Sequence, residues 1–298
     1  MPVLCWGEAI VDLVCERRAA SIADADAFRP HFGGALANIA VAASRAGAEV
    51  ALAGGAGDDP WGEWLRGRLA MERVDLRWFT LVDDLRTPIA FVTFDGDGEP
   101  EFQIYGDGIE ACVRAGGERL PEAIAASEAL VFGSNTLVGE PERALTLQAR
   151  RLAIDRDVPV LFDPNLRPHR WRDLDRALEL CRRLCEGAYL VRANLAEARS
   201  ITGAEHPADA AAELAAMGAR IAVVTTGREG AVMRGAASAD QPGVEVDVAS
   251  SLGAGDAFMG TLAARLAAAG WDPGAAPGAL QAAVEAGAEA CTHWGAIA

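Results

Sequence analysis

Short, continuous apolar runs alternate along the chain with longer segments in which apolar residues recur every three or four positions. The run Val3-Leu4-Cys5-Trp6 is the first predicted strand, and 35–46 is a predicted helix with one apolar face, followed by Gly47. We predict further strands at 50–53, 129–132, 159–162, 188–191 and 221–224, and further helices from Asp59-Pro60 onward and at 141–154, 174–185, 196–202 and 208–217. Apolar strands that alternate with helices are typical of a mostly parallel sheet with helices on both faces, so we expect an α/β fold.

One region departs from this alternation. Strand patterns at 88–94 and 101–105 flank a turn-forming sequence at 95–100, which predicts a β-hairpin. With a strand near 11–15 it would form a small antiparallel sheet outside the main one. Such a flap is a candidate lid over a site, and an edge extension or a dimer surface is the alternative. We therefore expect one domain over residues 1–298, with the lid formed by roughly 11–32 and 86–113.

Charge balance and missing residue types exclude several function classes. The 298 residues carry a formal net charge of −16, which argues against nucleic-acid binding and against docking on anionic membranes. All 27 basic residues are arginine, which excludes P-loop NTPases, protein-kinase-like enzymes and Schiff-base enzymes, because each needs a lysine. The six scattered cysteines and the lack of a visible secretory signal predict reduced thiols, no zinc site and a cytoplasmic location.

The most informative motif is Gly253-Ala254-Gly255-Asp256. A strand predicted at 244–248 precedes it, and an apolar helix follows through Phe258, Leu262 and Leu266. Small residues before a helix N-terminus let backbone amides approach an anion closely. A carboxylate beside such a cradle could take the proton of an alcohol during phosphoryl transfer. The alternative is an ordinary strand–helix turn with an acidic first-turn residue.

Other polar groups cluster where predicted strands end. Gly33-Gly34 before a helix would let a ligand pack on the backbone, and Asn38 lies one turn into that helix; a tight turn is the alternative. Asp12 follows the first strand and could accept hydrogen bonds from two sugar hydroxyls, although a lone surface Asp is the commoner case. The cluster Asp163, Asn165 and Arg167 could touch hydroxyls or a phosphate.

Two further motifs suit a nucleotide. Asn194 and Glu197 share one helix face and could hold a hydrated Mg²⁺, or they could simply form a capping box. The segment Thr225 to Gly230 would suit a nucleotide phosphate, and a hairpin turn is the alternative. The four histidines form no triad and no Gly-x-Ser-x-Gly elbow occurs, so a serine hydrolase has no support.

These motifs together resemble the PfkB, or ribokinase-like, carbohydrate kinases. Gly33-Gly34 with Asn38 is similar to the family's first signature, 251–258 to its second, and Asn194 with Glu197 to its Asn-x-x-Glu motif. The resemblance implies a three-layer α/β/α domain with a β-sheet lid that transfers the γ-phosphate of ATP to a sugar hydroxyl. The segments 7–12 and 163–167 look most like those of fructokinases and 2-keto-3-deoxygluconate kinases.

The resemblance also implies roles for individual residues. Asp256 would be the general base, the amides of Ala254, Gly255 and Asp256 would form the anion hole, and Gly253 would belong to the same catalytic loop. The sugar would contact Asp12, Gly33, Gly34, Asn38, Tyr105 and Arg167. Asn194 and Glu197 would position Mg²⁺ and phosphates, the Mg²⁺ through water. Thr225, Gly227 and Gly230 would line the ATP site.

Two departures from the family pattern change the expectations. Members usually carry Asp-Thr where this chain has Ser250-Ser251, and that Asp often helps to bind a monovalent cation, so we expect weak or absent potassium activation. Tyr105 is followed by Gly106-Asp107-Gly108, where related lids commonly place an arginine, and this argues against an anionic sugar acid.

The sequence thus predicts a fructokinase-like, ATP- and Mg²⁺-dependent sugar kinase. The alternatives are a 2-keto-3-deoxygluconate, nucleoside or aminoimidazole-riboside kinase, and a kinase-derived binding protein without turnover. Expected partners are a small-molecule sugar, ATP and a second copy of the chain, which would form a homodimer through the lid.

Overall fold

Thirteen strands form two sheets in the computed structural model, which describes residues 1–96, 98–106 and 108–297. In chain order the strands are β1 (Val3–Trp6), β2 (Ile10–Val14), β3 (Arg29–Gly33), β4 (Val50–Gly57), β5 (Asp75–Val82), β6 (Ile89–Phe94), β7 (Pro100–Tyr105), β8 (Ala129–Gly133), β9 (Val160–Asp163), β10 (Leu190–Asn194), β11 (Ile221–Thr225), β12 (Gly230–Gly235) and β13 (Ala239–Pro242).

The larger sheet has nine strands in the order β13-β12-β11-β10-β9-β8-β1-β4-β5. All pairs are parallel except β11–β12 and β12–β13. Parallel neighbours need crossover connections, and helices supply them. The mostly parallel α/β sheet that the sequence predicts is therefore confirmed.

Ten α-helices are assigned within the described residues. They are α1 (Ala35–Arg45), α2 (Pro60–Met71), α3 (Ile109–Ala115), α4 (Leu120–Ala125), α5 (Glu140–Ile154), α6 (Leu174–Cys185), α7 (Leu195–Thr202), α8 (Pro207–Ala216), α9 (Ala254–Ala268) and α10 (Ala276–Ala290). Alternate strand residues point to opposite faces of the sheet. Thus Cys5, Leu52 and Val131 share a core with α1, α2, α9 and α10, whereas Leu4, Ala51 and Leu130 share one with α3 to α8.

The second sheet has four strands in the order β3-β2-β6-β7. The β6–β7 hairpin matches the predicted one, and β2 pairs with β6 in parallel and with β3 antiparallel. The strands begin at Ile10, one residue before the predicted lid, and end at Tyr105. Helix α3 falls within the predicted lid range but packs into the core on one face of the main sheet. The second sheet therefore covers a shorter stretch of the chain than the predicted lid. Asp97 and Asp107, which belong to the predicted hairpin region, lie outside the described residues.

Two local predictions were wrong for physical reasons. The segment 244–248 forms no strand; the chain pairs as β13 at 239–242 and then runs irregularly to the start of α9. Strand β4 continues past its predicted end at residue 53, through Gly54 and Gly55 to Gly57. A Cβ at Gly54 would lie 2.2 Å from the carbonyl oxygen of Gly7, and one at Gly55 would lie 2.3 Å from that of Thr80. These glycines allow close approach of neighbouring strands rather than a turn.

Among the residues described, none of the helices combines the length and the apolar character that crossing a membrane would need.

Candidate active site

The glycine motif forms the N-terminus of α9. Helix α9 begins at Ala254, after Gly253, whose φ is +77°. A Cβ at Gly253 would lie 2.1 Å from the carbonyl oxygen of Ala296, so only glycine fits against the C-terminal segment. The first-turn N–H groups of a helix have no intrahelical partner. The Ala254 amide donates to the Ser251 carbonyl at 3.3 Å, which leaves the next two amides for an anion.

Asp256 lies in that first turn and contacts α1. Its Oδ2 accepts a hydrogen bond from Nδ2 of Asn38 at 2.9 Å. Burial raises the pKa of Asp256 to about 7, while the Asn38 hydrogen bond and the charges of Arg167 and Arg192 work against that rise. A carboxylate that titrates near neutrality can accept a substrate proton and release it again at working pH.

Asp12 lies close to Asp256 and is itself buried, at 2% exposure. Burial, with the charge of Asp256 second, raises the pKa of Asp12 to about 8. The carboxylate occupies the space that a side chain at Gly33 would fill, because a Cβ there would lie 2.2 Å from it. The next residue, Gly34, has a φ of +91°, and its Cβ would lie 2.6 Å from the carbonyl oxygen of Glu8. The two glycines therefore hold β2, β3 and the start of α1 in close contact.

Three buried acceptor atoms around the start of α1 have no donor among the described residues. They are Oε2 of Glu8, Oδ1 of Asp12 and Oδ1 of Asn38. The other Glu8 oxygen accepts from the Ala35 amide at 3.1 Å and from Nδ2 of Asn135 at 3.0 Å. Buried polar atoms without partners are costly, so donors from a ligand would satisfy them. Sugar hydroxyls are donors of this kind.

Sequence reasoning missed Glu8, Asn135 and the pair that supports them. Arg170 donates from Nη1 to Oδ1 of Asn135 at 2.9 Å and forms an ion pair with Glu110. A charged residue directly after an apolar strand, as in Trp6-Gly7-Glu8, was the available signal. The contact with Asn135 joins residues 127 positions apart and left no local pattern.

A second missed residue is Arg192, in the buried strand β10. Its guanidinium pairs with Asp163 at 3.1 Å and donates to Oγ1 of Thr225 at 2.9 Å. Asp163 and Thr225 end the two strands beside β10, and Arg192 lies two residues before the end of β10, near the edge where ligands bind in open α/β sheets. A charge inside an otherwise apolar strand was the signal.

Asn194 and Glu197 form a capping box, which the sequence offered as the alternative to an Mg²⁺ site. The Asn194 side chain accepts from the Glu197 amide at 2.9 Å, and one Glu197 oxygen accepts from the Asn194 amide at 2.9 Å. The other Glu197 oxygen accepts from the Leu166 amide at 2.7 Å. Within the described residues no group of three or more acidic, histidine or cysteine side chains is arranged to hold a metal ion.

The segment from Thr225 to Gly230 forms a hairpin turn between β11 and β12, which the sequence offered as the alternative to a nucleotide phosphate site. Thr226 donates from its amide to the Gly230 carbonyl at 2.8 Å. Gly227 has a φ of +63° and open space where a side chain would stand, whereas a Cβ at Gly230 would lie 2.0 Å from the Gln241 carbonyl oxygen. Gly227 therefore leaves room beside the turn, and Gly230 allows β13 to pack.

The model of the pfkB family carbohydrate kinases matches residues 2–298. This chain belongs to that family. Together with the relatives below, the match identifies an ATP-dependent sugar kinase, a phosphotransferase that acts on a sugar hydroxyl.

Individual pfkB relatives support the assignment. Fructokinase-1 of Zea mays is 32% identical over 270 residues, which cover 89% of this chain and 82% of the relative. The solved aminoimidazole riboside kinase of Salmonella enterica, complexed with aminoimidazole riboside and an ATP analog, is 28% identical with a TM-score of 0.82, and covers 100% of this chain and 95% of its own. A double-mutant fructokinase of Vibrio cholerae, solved with fructose, ADP and potassium ion, is 28% identical with a TM-score of 0.83. It covers 99% of this chain and 94% of its own.

Two of the predicted sugar contacts differ in their placement. Arg167 is partly buried, and its charge lowers the pKa of Asp256, so it lies near the pfkB glycine motif. Tyr105 pairs with Ile89, which pairs with Val11, whereas Asp12 pairs with Ala90. Because paired residues share a face, Tyr105 lies on the face of the second sheet opposite to Asp12, and it is 57% exposed. The structure does not bring these two side chains together.

The pfkB motif is also unusual at Ser250, which is fully buried. Its hydroxyl donates to the carbonyl of His293 at 3.0 Å, and its amide donates to the carbonyl of Cys291 at 3.3 Å. The segment before the glycine motif is thus joined directly to the residues that follow α10.

Proposed function

We propose that this kinase transfers the γ-phosphate of ATP to a hydroxyl of a neutral sugar, fructose in the first instance, with Asp256 as the general base. One observation carries the proposal. Asp256 stands in the first turn of a glycine-led helix, bonded to Asn38 and close to Asp12, with a pKa of about 7. A base of that pKa beside an anion cradle fits phosphoryl transfer to an alcohol.

In this mechanism the proton of the sugar hydroxyl moves to a carboxylate oxygen of Asp256 as the hydroxyl oxygen attacks the γ-phosphorus. The bond to the β-phosphate oxygen breaks and ADP leaves. The amides of Gly255 and Asp256, at the positive end of α9, stabilise the transferred phosphoryl group, with Gly253 and Ala254 shaping the loop. Asp12, Gly33, Gly34 and Asn38 hold the sugar, and Arg167 stands near the phosphate.

The nucleotide would lie along Thr225, Gly227 and Gly230, where Gly227 leaves open space. Both oxygens of Glu197 already accept backbone N–H groups, so the Asn194–Glu197 pair fits an Mg²⁺ that arrives with ATP and is met through water. When bound, Mg²⁺ supplies positive charge at the phosphates.

The orphaned acceptors support a neutral sugar rather than a sugar acid. Glu8, Asp12 and Asn38 each present a buried oxygen without a donor. Sugar hydroxyls can donate to all three, whereas a substrate carboxylate only accepts hydrogen bonds and would satisfy none of them.

We also propose that the second sheet closes over the sugar and excludes water, and that its edge strand β7 forms a homodimer contact. Support comes from Ile104 and Tyr105, which are 43% and 57% exposed on that edge. A cytoplasmic location stays a prediction that cell fractionation would test.

A coupled assay of ADP release tests the function. The purified protein with ATP and Mg²⁺ is offered fructose, ribose, 2-keto-3-deoxygluconate and a set of nucleosides. We expect fructose to give the highest kcat/KM, and Asp256→Asn to lower kcat by about 10²–10⁴-fold with little change in fructose Kd. In the wild type, kcat/KM should rise with pH through about 7, as Asp256 loses its proton. Near-normal turnover by Asp256→Asn would refute the assignment of the base.

Aminoimidazole riboside is the second candidate substrate, because the Salmonella enterica kinase solved with it covers 100% of this chain. It belongs in the same assay, and a kcat/KM above that for fructose would replace the first proposal.

A further inference from the structure

Arg192 is a charged residue enclosed at the carboxyl end of the main sheet. It is 8% exposed, and its guanidinium is held by Asp163 of β9 and Thr225 of β11. It lies over the ring of Phe258, 5.8 Å from the ring centroid. One side chain of β10 therefore contacts two neighbouring strands and α9.

The guanidinium also lies against the backbone of the loop from Gly253 to Asp256, called the anion loop below. A Cβ on Gly255 would lie 2.7 Å from Nη1 and 2.8 Å from Nη2 of Arg192. Both distances are shorter than a Cβ contact allows, so a larger residue at 255 would force the buried, hydrogen-bonded guanidinium to move. Arg192 therefore packs directly against the backbone of Gly255 in the first turn of α9.

The charges around Arg192 make it the central cation of this region. Its pKa is raised through the carboxylates of Asp163, Glu197 and Asp256, although burial opposes that rise. Since the chain has no lysine, this role cannot fall to the amine that phosphate sites often use. A fixed positive charge behind a helix N-terminus adds to the field that the helix itself directs at an anion.

A purely structural ion pair would explain less. Replacing a buried ion pair by apolar residues is often neutral or stabilising, so Asp163 alone gives little reason to bury an arginine. The Nε atom of Arg192 is buried without a partner, so the group is not placed to satisfy all its donors. Its placement instead brings the Nη atoms against Gly255.

We infer that Arg192 is a positioning residue for phosphate. It fixes the position of the Gly255 amide and supplies a positive charge behind the N-terminus of α9, where the phosphate would bind. This inference rests on the proposed phosphoryl transfer at Asp256. Arg192 touches neither reacting atom and acts through the loop and its field.

The experiment measures nucleotide binding and turnover separately. Arg192→Met, Arg192→Lys and the double variant Asp163→Asn/Arg192→Met are compared with the wild type by calorimetry with a non-hydrolysable ATP analogue and Mg²⁺, and by steady-state kinetics. We expect Arg192→Met to weaken analogue binding about 5–20-fold and to lower kcat about 10–100-fold, with sugar KM changed less than about twofold. Arg192→Lys keeps the charge and should recover most of the analogue affinity.

The double variant separates this role from simple stability. Asp163→Asn removes the unpaired buried carboxylate that Arg192→Met would leave, so it should recover Tm without recovering analogue binding or kcat. If Arg192→Met lowers Tm but binds the analogue and turns over like the wild type, or if the double variant regains both, Arg192 is structural only and the inference is wrong.

The pH dependence gives an independent readout. Asp256 is faced by the charges of Asp163, Arg167 and Arg192 and by the side chains of Asp12 and Asn38. Losing the positive charge of Arg192 should move the acid limb of kcat/KM to higher pH, and Arg192→Lys should move it less. An unshifted limb in Arg192→Met would contradict the electrostatic part of the inference.

A double-mutant cycle with Gly255→Ala tests the contact itself. The Cβ of Gly255→Ala collides with Arg192, so the substitution should cost at least about tenfold less analogue affinity in an Arg192→Ala background than in the wild type. Additive losses would overturn the contact. These binding outcomes do not depend on the sugar: if no sugar in the panel is phosphorylated, the proposed function fails while the analogue measurements still decide the role of Arg192.

Discussion

Two carboxylates with raised pKa values stand close together where the second sheet meets α9. Asp12 and Asp256 disfavour each other's charged form, and burial disfavours both. A protein gains no stability from such an arrangement, and perturbed groups of this kind concentrate at functional sites. The residue pattern predicted Asp256 from its motif of small residues, whereas Asp12, which was expected just after the first strand, lies inside β2.

Asp12→Asn should stabilise the protein, and more so at high pH. A carboxyl whose folded pKa is raised contributes its stability fully below the unfolded value near 4 and loses it as the pH rises through about 8. Each pKa unit is worth about 1.4 kcal/mol, so we expect the free energy of unfolding at pH 8 to rise by roughly 1–3 kcal/mol, with a smaller change at pH 5. Urea melts at the two pH values measure this.

Asp83→Asn is the control, because Asp83 is exposed and its substitution should leave both melts unchanged. Sugar affinity of Asp12→Asn should fall at the same time. A variant that is less stable at pH 8 than at pH 5, relative to the wild type, would contradict the raised pKa of Asp12.

Gly33→Ala tests how closely Asp12 is packed. The φ of Gly33 is open to any residue, and the nearest obstacle to a new Cβ is the Asp12 carboxylate at 2.2 Å. Displacing that carboxylate should raise sugar KM at least about tenfold and leave ATP KM within about twofold. Gly67→Ala on α2, where a Cβ meets nothing within 4 Å, is the matched control and should leave both KM values unchanged. If Gly33→Ala and Gly67→Ala have the same sugar KM, Asp12 does not contact the sugar.

Elements with a strong local pattern were predictable, and those that depend on distant contacts were not. Helix α6 matches its predicted range, and β1 does too. The alternating valines of 244–248 predicted a strand, but that segment pairs with no other strand in the structure. Arg192, Glu8 and Asn135 went unrecognised as site residues because their partners lie 29 to 127 positions away.

The junction between α10 and the anion loop leads to a prediction about potassium. In the Vibrio cholerae fructokinase solved with fructose and ADP, potassium ion is bound. Here Ser250 replaces the aspartate expected from the family pattern, and its hydroxyl donates directly to the His293 carbonyl. A neutral hydroxyl offers a cation no opposing charge, so we expect the rate to change less than about twofold between potassium and a sodium-free control.

Ser250→Asp should introduce the negative charge that the wild type lacks for binding a cation. The new carboxylate would face the carbonyl of His293, which the Ser250 hydroxyl contacts, so the variant should be less stable without potassium and should regain Tm when potassium is added. Ser250→Asn, similar in size and uncharged, is the control and should show no such recovery. A several-fold rise in wild-type rate with potassium would overturn this prediction.

At the scale of the whole molecule, charge and the second sheet determine how the protein meets partners. The net charge of −16 keeps copies apart at long range, so association needs a local apolar contact. Strand β7 provides one, because it is an unpaired sheet edge whose Ile104 and Tyr105 are exposed on opposite faces. Exposed edges with apolar side chains invite pairing with another chain.

Ile104→Lys should therefore separate a dimer into monomers. We expect the wild type to sediment at about twice the chain mass of 31.1 kDa and Ile104→Lys at about the chain mass, since a buried lysine at the edge would be unpaired. Leu147→Lys, which adds the same charge at a 38% exposed leucine of α5, should remain dimeric. If closure of the second sheet needs the partner, Ile104→Lys will also raise sugar KM with ATP KM unchanged. A wild type that sediments as a monomer up to about 100 μM, far above the Kd of a stable dimer, would exclude the lid contact as an interface.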